Sequence, residues 1–358
     1  MVGRNSWAVA GDSTLIKAAI VMATNAAISP MGLFSRLSLP AILTYAPPMT
    51  FKAHFIEIPV EPINGFHTCR DRFCKSPPGV FLIAALVLSA LFPATIRSAN
   101  AHEFWLQPEQ YVVAAGEAAQ ATIRVGEDFK GNSYSYNPND FERFDLLVEG
   151  ELTPLAGQLG DRPAMNVPNP SDGLLVGIHQ SDLERLTYRE FEKFEAFARL
   201  EGQDEVIEAH KARGLAESGF EEVYRRFAKT YVKVGDGAGA DQAVGMALEL
   251  VALTNPYQSG TRDVSFQLLR DGKPEANAQV AVWSREFGAA DDAGNTLKGE
   301  RVLLRTDEVG RVSIPTIAGR EYLASAVLIE EPGPEQLAER ANAVWYSLWA
   351  SATWLATQ

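Results

Sequence analysis

"SGFEEVYRRFAKTYVKVG", residues 218–235, is the stretch on whose reading the fold turns. Phe220, Val223, Tyr224, Phe227 and Tyr231 fall at spacings that line one face of an α-helix, which predicts a helix here. The preceding "SDLERLTYREFEKFEAFARLEGQDEVIEAHKARG" (181–214) has the same period, with Phe191, Phe194, Phe197 and Leu200 on one stripe. Ser181 followed three residues on by Glu184 matches a capping box, and Gly202 and Gly214 are natural stops. Residues 181–234 are therefore expected to be a helical insertion whose aromatic stripes pack against whatever lies on either side.

What lies on either side has the period of strands. Upstream, "YVVAAGEAAQATIRVGEDF" sets Ala121, Ile123 and Val125 on one side of a strand, "ERFDLLVEGELTPL" reads as a strand pair, and "LLVGIHQ" is a short apolar strand ending near His179. Downstream, "GDGAGADQAVG" (235–245) is a Gly/Ala/Asp break. It is followed by "MALELVALTNPY", "VSFQLLRDGKPEANAQVAVW" and "ERVLLRTDEVGRVSIPTIAGREYLASAVLIE", with turns at Asp271-Gly272 and Asp307–Gly310. Val344, Tyr346, Leu348 and Ala350 alternate with Trp345, Ser347 and Trp349 in a closing strand. The expected fold is mainly β: a first immunoglobulin-like sandwich module over 102–180, the helical insertion, and a second immunoglobulin-like module over 235–358.

The first third of the chain has a different character. "CRDRFCKSPPGVFLIAALVLSALFPATIRSANA" (69–101) has a basic start at Arg70, Arg72 and Lys75, an uncharged apolar run from Val80 to Phe92, and Ala99-Asn100-Ala101 at its end. That is the layout of a secretory signal peptide cleaved after Ala101. The run is shorter than the roughly 20 residues that span a bilayer, so no stable span is expected after cleavage. Residues 1–68, with scattered prolines and no domain pattern, are expected to be an upstream extension, disordered or translated from a start assigned too early. The exported part, 102–358, holds 24 Lys/Arg against 41 Asp/Glu and no cysteine. Its acidity excludes nucleic acid as a natural partner, and it has no disulfide framework. A periplasmic or secreted location is expected.

Cleavage after Ala101 makes His102 the first residue. A free N-terminal histidine offers its α-amine and imidazole Nδ1 in one chelate, a donor pair suited to Cu(II), Ni(II) and related ions. This resembles the amino-terminal chelate of lytic polysaccharide monooxygenases and small periplasmic copper carriers. A further ligand must come from elsewhere. His179, at the end of a strand in the same module, is the leading candidate; His210, Glu103, Glu127 and Asp128 are the others. His210, near the end of its helix, is expected to be exposed.

Catalytic motifs are missing. There is no HExxH, CxxC, G-x-S-x-G or phosphate-loop pattern, and "DDAGNTLKGE" (291–300) lacks the spacing of a calcium loop. The chain is expected not to be an enzyme.

The order of "AHEFWLQP", "IRVGEDFKG", "EKFEAFARLEG", "RRFAKTYVKVG", "LELVALTNPY", "DGKPEANAQVAVW", "RTDEVGRVSI" and "SLWASATW" resembles a family of secreted bacterial proteins with a domain of unknown function. Members are described as periplasmic components of cobalt-type transport systems or as relatives of nickel-uptake proteins. The resemblance covers 102–358. It implies an immunoglobulin-like fold whose second module is carboxypeptidase-regulatory-like, a divalent transition metal (Ni, Co or Cu) as cofactor or cargo, and a metal transporter or other envelope protein as partner. Where many members have a late histidine, this chain has Leu328 and Ile329, so that ligand is absent. The competing expectation is a structural or adhesion-like envelope module that binds protein or polysaccharide without metal; a copper-dependent oxidase ranks third.

Overall fold

The computed structural model describes residues 103–290 and 296–358. The extension 1–68, the export segment 69–101 and His102 lie outside the described residues. The chain runs through β1 (Glu103–Pro108), β2 (Val112–Val113), β3 (Ala119–Glu127), β4 (Lys130–Tyr134), β5 (Phe141–Val148) and β6 (Glu151–Pro154). β7 (Met165–Val167), β8 (Gly173–Ser181) and β9 (Glu184–Tyr188) lead into helices α1 (Phe191–Leu200) and α2 (Asp204–Ala212). After the long β10 (Phe220–Val234) come β11 (Leu248–Ala252), β12 (Asp263–Arg270), β13 (Lys273–Pro274) and β14 (Gln279–Glu286). β15 (Glu300–Arg305), β16 (Arg311–Pro315), β17 (Arg320–Glu330), the short helix α3 (Pro334–Glu339) and β18 (Ala343–Leu355) complete the chain. The fold is mainly β and of the sandwich class, with few helices.

Residues 220–234 are a strand, which corrects the helical reading of that stretch. Val223, Phe227 and Tyr231 are four apart, and four residues return a side chain to the same face of a strand as well as of a helix. The pattern alone therefore cannot separate the two. Pairing decides it: β10 lies parallel to β18, with Phe227 opposite Ala350, and antiparallel to β8 and β9, with Tyr231 opposite Val176 and Phe220 opposite Tyr188. Ser181 and Glu184 form no helix cap; they end β8 and begin β9, and α1 starts at Phe191.

Because β10 is a strand, strands from both flanking regions join one ten-stranded sheet, with main path β15-β14-β17-β18-β10-β8-β5-β6. Each face of this sheet is covered. On one face Val176, Ile178, Phe227, Tyr231, Leu348 and Trp354 pack against Leu250, Phe266, Leu268 and Ile314 of the sheet β11-β12-β13 with β16. Trp354 is fully buried there, stacked on Tyr322 with centroids 5.2 Å apart, a burial that contributes about 3 kcal/mol. On the other face Leu175, Ala228 and Val232 meet Phe104, Leu106, Ala121 and Met165 of the sheet β1-β3-β4 with β7. Helices α1 and α2 share this second face, where Phe194 stacks on Trp345 and Phe197 on Trp349.

Gly177 sets how closely the first small sheet approaches. A Cβ there would lie 2.8 Å from Met165 Sδ and 3.0 Å from Thr230 Cγ2. Two residues further along the same face of β8 comes His179.

Candidate functional site

Alternation along β8 turns Leu174, Val176 and Ile178 to one face and Leu175, Gly177 and His179 to the other. His179 is therefore held against the β1 sheet. It is 2% exposed and enclosed by three phenyl rings: Phe104 of β1 and Phe144 of β5 at 5.0 Å, and Phe141 of β5 at 5.3 Å. Phe144 is its direct cross-strand partner. Burial, with a smaller contribution from the Arg226 charge, pulls the imidazole pKa down to about 3. The ring is neutral at physiological pH. Its Nδ1 is buried and has no hydrogen-bond partner.

His179 forms part of the wall of a cleft of about 640 Å³ between the β1 sheet and the central sheet. Phe104, Phe141, Tyr224 and Arg226 also line it, with Asn137 and Asp182 at the polar side. The Arg226 guanidinium lies 4.6 Å from the Tyr224 ring centroid and 5.8 Å from that of Phe104. It donates to Glu184 Oε1 at 3.1 Å, while Tyr224 Oη donates to Glu184 Oε2 at 2.8 Å. The backbone N–H of Arg226 donates to Ser181 Oγ at 3.0 Å, which ties β10 to the end of β8. Arg226 Nε, like His179 Nδ1, is buried without a partner. The cleft thus combines an aromatic wall, a neutral imidazole and an oriented guanidinium.

The other candidate ligands are placed elsewhere. Glu103 alternates with Phe104 and so leaves β1 on the side away from His179; burial, with like charge from Glu201, Asp128 and Glu127, pushes its carboxyl up to about 8. Asp128, at positive φ in the β3–β4 turn, accepts from Lys298 Nζ at 2.6 Å. His210 is fully buried rather than exposed. It sits among Phe191, Phe220 and Trp345, accepts at Nδ1 from Trp345 Nε1 (3.0 Å) and donates from Nε2 to Ala216 O (3.1 Å), so both ring nitrogens are occupied. Among the described residues no group of three or more His, Cys, Asp or Glu side chains is arranged to hold a metal ion. Of the candidate ligands among the described residues, His179 Nδ1 and Glu103 Oε2 are buried without a hydrogen-bond partner, and they lie on opposite sides of β1.

Arg226, Tyr224 and Glu184 were not singled out from sequence as site residues. The available signal was a pair of arginines, Arg225 and Arg226, inside an otherwise apolar run; read as a helix, that run sends charges to solvent, whereas in a central strand it must give them partners.

A family described as "Domain of unknown function (DUF4198)" matches residues 99–330. No curated protein matches the chain. Among solved structures, a tetra-tandem repeat from the extending region of a large adhesion protein aligns at 11% identity and TM-score 0.18, covering 71% of this chain and 49% of that one. A DUF4785 family protein from Legionella pneumophila aligns at 10% identity and TM-score 0.19, covering 62% of this chain and 51% of that one. The chain spans about half the length of each. With so little overlap, neither bears on fold or function. No helix among the described residues is long and apolar enough to cross a membrane.

Proposed function

We propose, for a chain that belongs to the DUF4198 family of unknown function, an exported periplasmic accessory protein that binds a divalent transition metal, nickel, cobalt or copper, and passes it to an envelope transporter. No catalytic step is part of this reading. The observation that carries it is the state of His179: a neutral imidazole with a buried, unpartnered nitrogen in the wall of a cleft. Metal ligands must be deprotonated, and a ring with so low a pKa offers its lone pair without competition from protons. His102 would supply the second donor group as the first residue of the exported chain, through its amine and imidazole. Nitrogen donors of this kind suit Ni(II), Co(II) and Cu(II). Bound metal would serve as cargo.

The test begins with N-terminal sequencing of the exported protein, expected to start at His102. Calorimetric titration with Ni(II), Co(II) and Cu(II) follows, on the exported form and on His102→Ala and His179→Phe. Phenylalanine keeps the ring packing of the aromatic box and removes only the donor. The expected result is saturable binding of one of these metals, weakened in both variants. Absence of metal-dependent heat, or binding by either variant equal to that of the unaltered exported protein, overturns the reading.

A further inference from the structure

Among the described residues Lys229 is the one buried lysine, and two carboxylates lie against it. The side chains of Lys229 and Asp241 are 0% exposed and that of Glu249 is 1% exposed. Lys229 Nζ lies 2.9 Å from Asp241 Oδ1 and 3.1 Å from Oδ2. With both oxygens so nearly equidistant, the dimensions of a carboxyl group put Nζ roughly 3.5 Å or less from Cγ, which is the separation of a near-attack arrangement. Glu249 Oε1 is 2.8 Å from the same Nζ. An amine, a carboxyl carbon and a second carboxylate therefore meet at one point shielded from water.

The two acids are held differently. Asp241 Oδ2 accepts from Tyr231 Oη and from the Ala252 N–H, both at 2.8 Å. Two donors on one oxygen are the arrangement that stabilises an oxyanion forming at a carbonyl under attack. Asp241 Oδ1 accepts from Lys229 and from the Gln242 N–H. Glu249 is fixed by the N–H groups of Val244, Gly245 and Met246, at 2.8, 3.1 and 3.2 Å, and presents one oxygen to Nζ. Asp241 is thus placed as an electrophile and Glu249 as a carrier of protons.

The geometry points to an intramolecular amide between Lys229 Nζ and Asp241 Cγ, formed after folding, with Glu249 as the catalytic residue. The ion pairs are its assembled precursor. One proton passes from the ammonium to Asp241 Oδ1, leaving a neutral amine and a carboxylic acid. The nitrogen lone pair forms the bond to Cγ, and the carbonyl electrons move onto Oδ2, between Tyr231 and Ala252. Glu249 takes the second proton from nitrogen. The Oδ2 carbonyl then reforms, the Cγ–Oδ1 bond breaks, and Oδ1 takes the proton from Glu249 and leaves as water. Glu249 ends ionised as it began, and no oxidant or other reactant is consumed. In water the hydration of the two ions opposes this condensation; in the interior that hydration is already lost, and the reaction removes two buried charges. The product ties β10 covalently to the segment that leads into β11. It is separate from the His179 cleft and does not depend on any metal bound there.

Tryptic peptides of the purified chain test the bond. Acylated Lys229 is no longer a cleavage site, so residues 227–233 and 234–262 should be recovered as one branched peptide, lighter than the two parts by one water. Tandem mass spectrometry should place the branch at Lys229 and Asp241. Asp241→Ala should give separate peptides ending at Lys229 and Lys233. Asp241→Asn keeps the same carbonyl with a different leaving group, and should link with loss of ammonia in place of water. Glu249→Gln should slow linkage by about a hundredfold or more, the usual scale for a positioned acid–base group. If Glu249→Gln fails to fold, by circular dichroism, Glu249→Asp takes its place: a linked fraction below wild type upholds the part of Glu249 and an equal fraction overturns it. Wild-type peptides recovered separately at their full sequence masses overturn the bond, and so does linkage that survives in Asp241→Ala.

Discussion

Lys229 Nζ lies 2.8 Å from Glu249 Oε1, and both side chains are buried. The ammonium also donates to Asp241 Oδ1 at 2.9 Å and to Gln242 O at 3.0 Å. The two carboxylates are filled from other directions. Asp241 Oδ2 accepts from Tyr231 Oη and the Ala252 N–H, both at 2.8 Å, and Glu249 accepts the N–H groups of Val244, Gly245 and Met246. One lysine on β10 thereby holds the glycine-rich segment 235–247 and the start of β11 to the central sheet.

Lys229→Met should accordingly destabilise the protein strongly. It leaves two carboxylates buried together with no cation, a change expected to cost about 3–5 kcal/mol. Adding Asp241→Asn and Glu249→Gln removes the uncompensated charge and should recover much of the loss. Urea unfolding of the single and triple variants measures both. A Lys229→Met midpoint equal to wild type would mean that the triad contributes nothing.

Glu222, also on β10, makes stability depend on pH. It is 2% exposed and accepts from Tyr188 Oη at 2.8 Å and from Ser347 Oγ in a short contact. Burial pushes its pKa up to about 7 from an ordinary 4.5. The folded state therefore holds this proton more tightly than the unfolded chain does. Its contribution to stability is greatest below pH 4.5, falls as pH rises from 4.5 to 7, and is flat above. Glu222→Gln should remove that slope, matching wild type near pH 4 and exceeding it at pH 8 by on the order of 3 kcal/mol. Parallel denaturation curves for wild type and variant across this window would contradict the assignment.

These two residues also show where sequence reading stops. The alternation in β8 and β18, the aromatic stripe of α1 and the turns at Asp271-Gly272 and Asp307–Gly310 are local patterns, and local patterns survive into the structure. Glu222, Arg225, Arg226 and Lys229 crowd charge into a run that reads apolar on one side at a spacing common to helix and strand. What makes that run a strand is pairing with β18, more than a hundred residues later, and nothing local records it. The site divides in the same way. His179 at a strand end was legible, but the rings of Phe104, Phe141 and Phe144 around it come from strand pairing and sheet packing that no period encodes.

The aromatic box itself predicts acid sensitivity. With a folded pKa of about 3 against an ordinary 6.5, His179 must stay neutral in the native state. The unfolded chain takes up a proton first as pH falls, so this contribution to stability is complete above pH 6.5 and is lost progressively towards pH 3. His179→Phe should flatten that part of the profile. Thermal melts from pH 7 to pH 4 measure it, and an equally steep loss in the variant would place the acid-sensitive group elsewhere.

Proton counting then separates the roles of the two proposed metal donors. His179 is neutral before any metal arrives, so its ligation releases no proton. The α-amine of His102, ordinarily protonated near neutrality, must release one. Calorimetry in two buffers of different ionisation enthalpy should give about one proton released per metal at pH 7 in the exported protein. His179→Phe should weaken the affinity and leave that count unchanged, whereas His102→Ala alters the donor set at the chain's first residue and should change both. A count that drops by one in His179→Phe would mean that the imidazole carries a proton inside its aromatic box, and the proposed part of His179 in metal binding would fall with it.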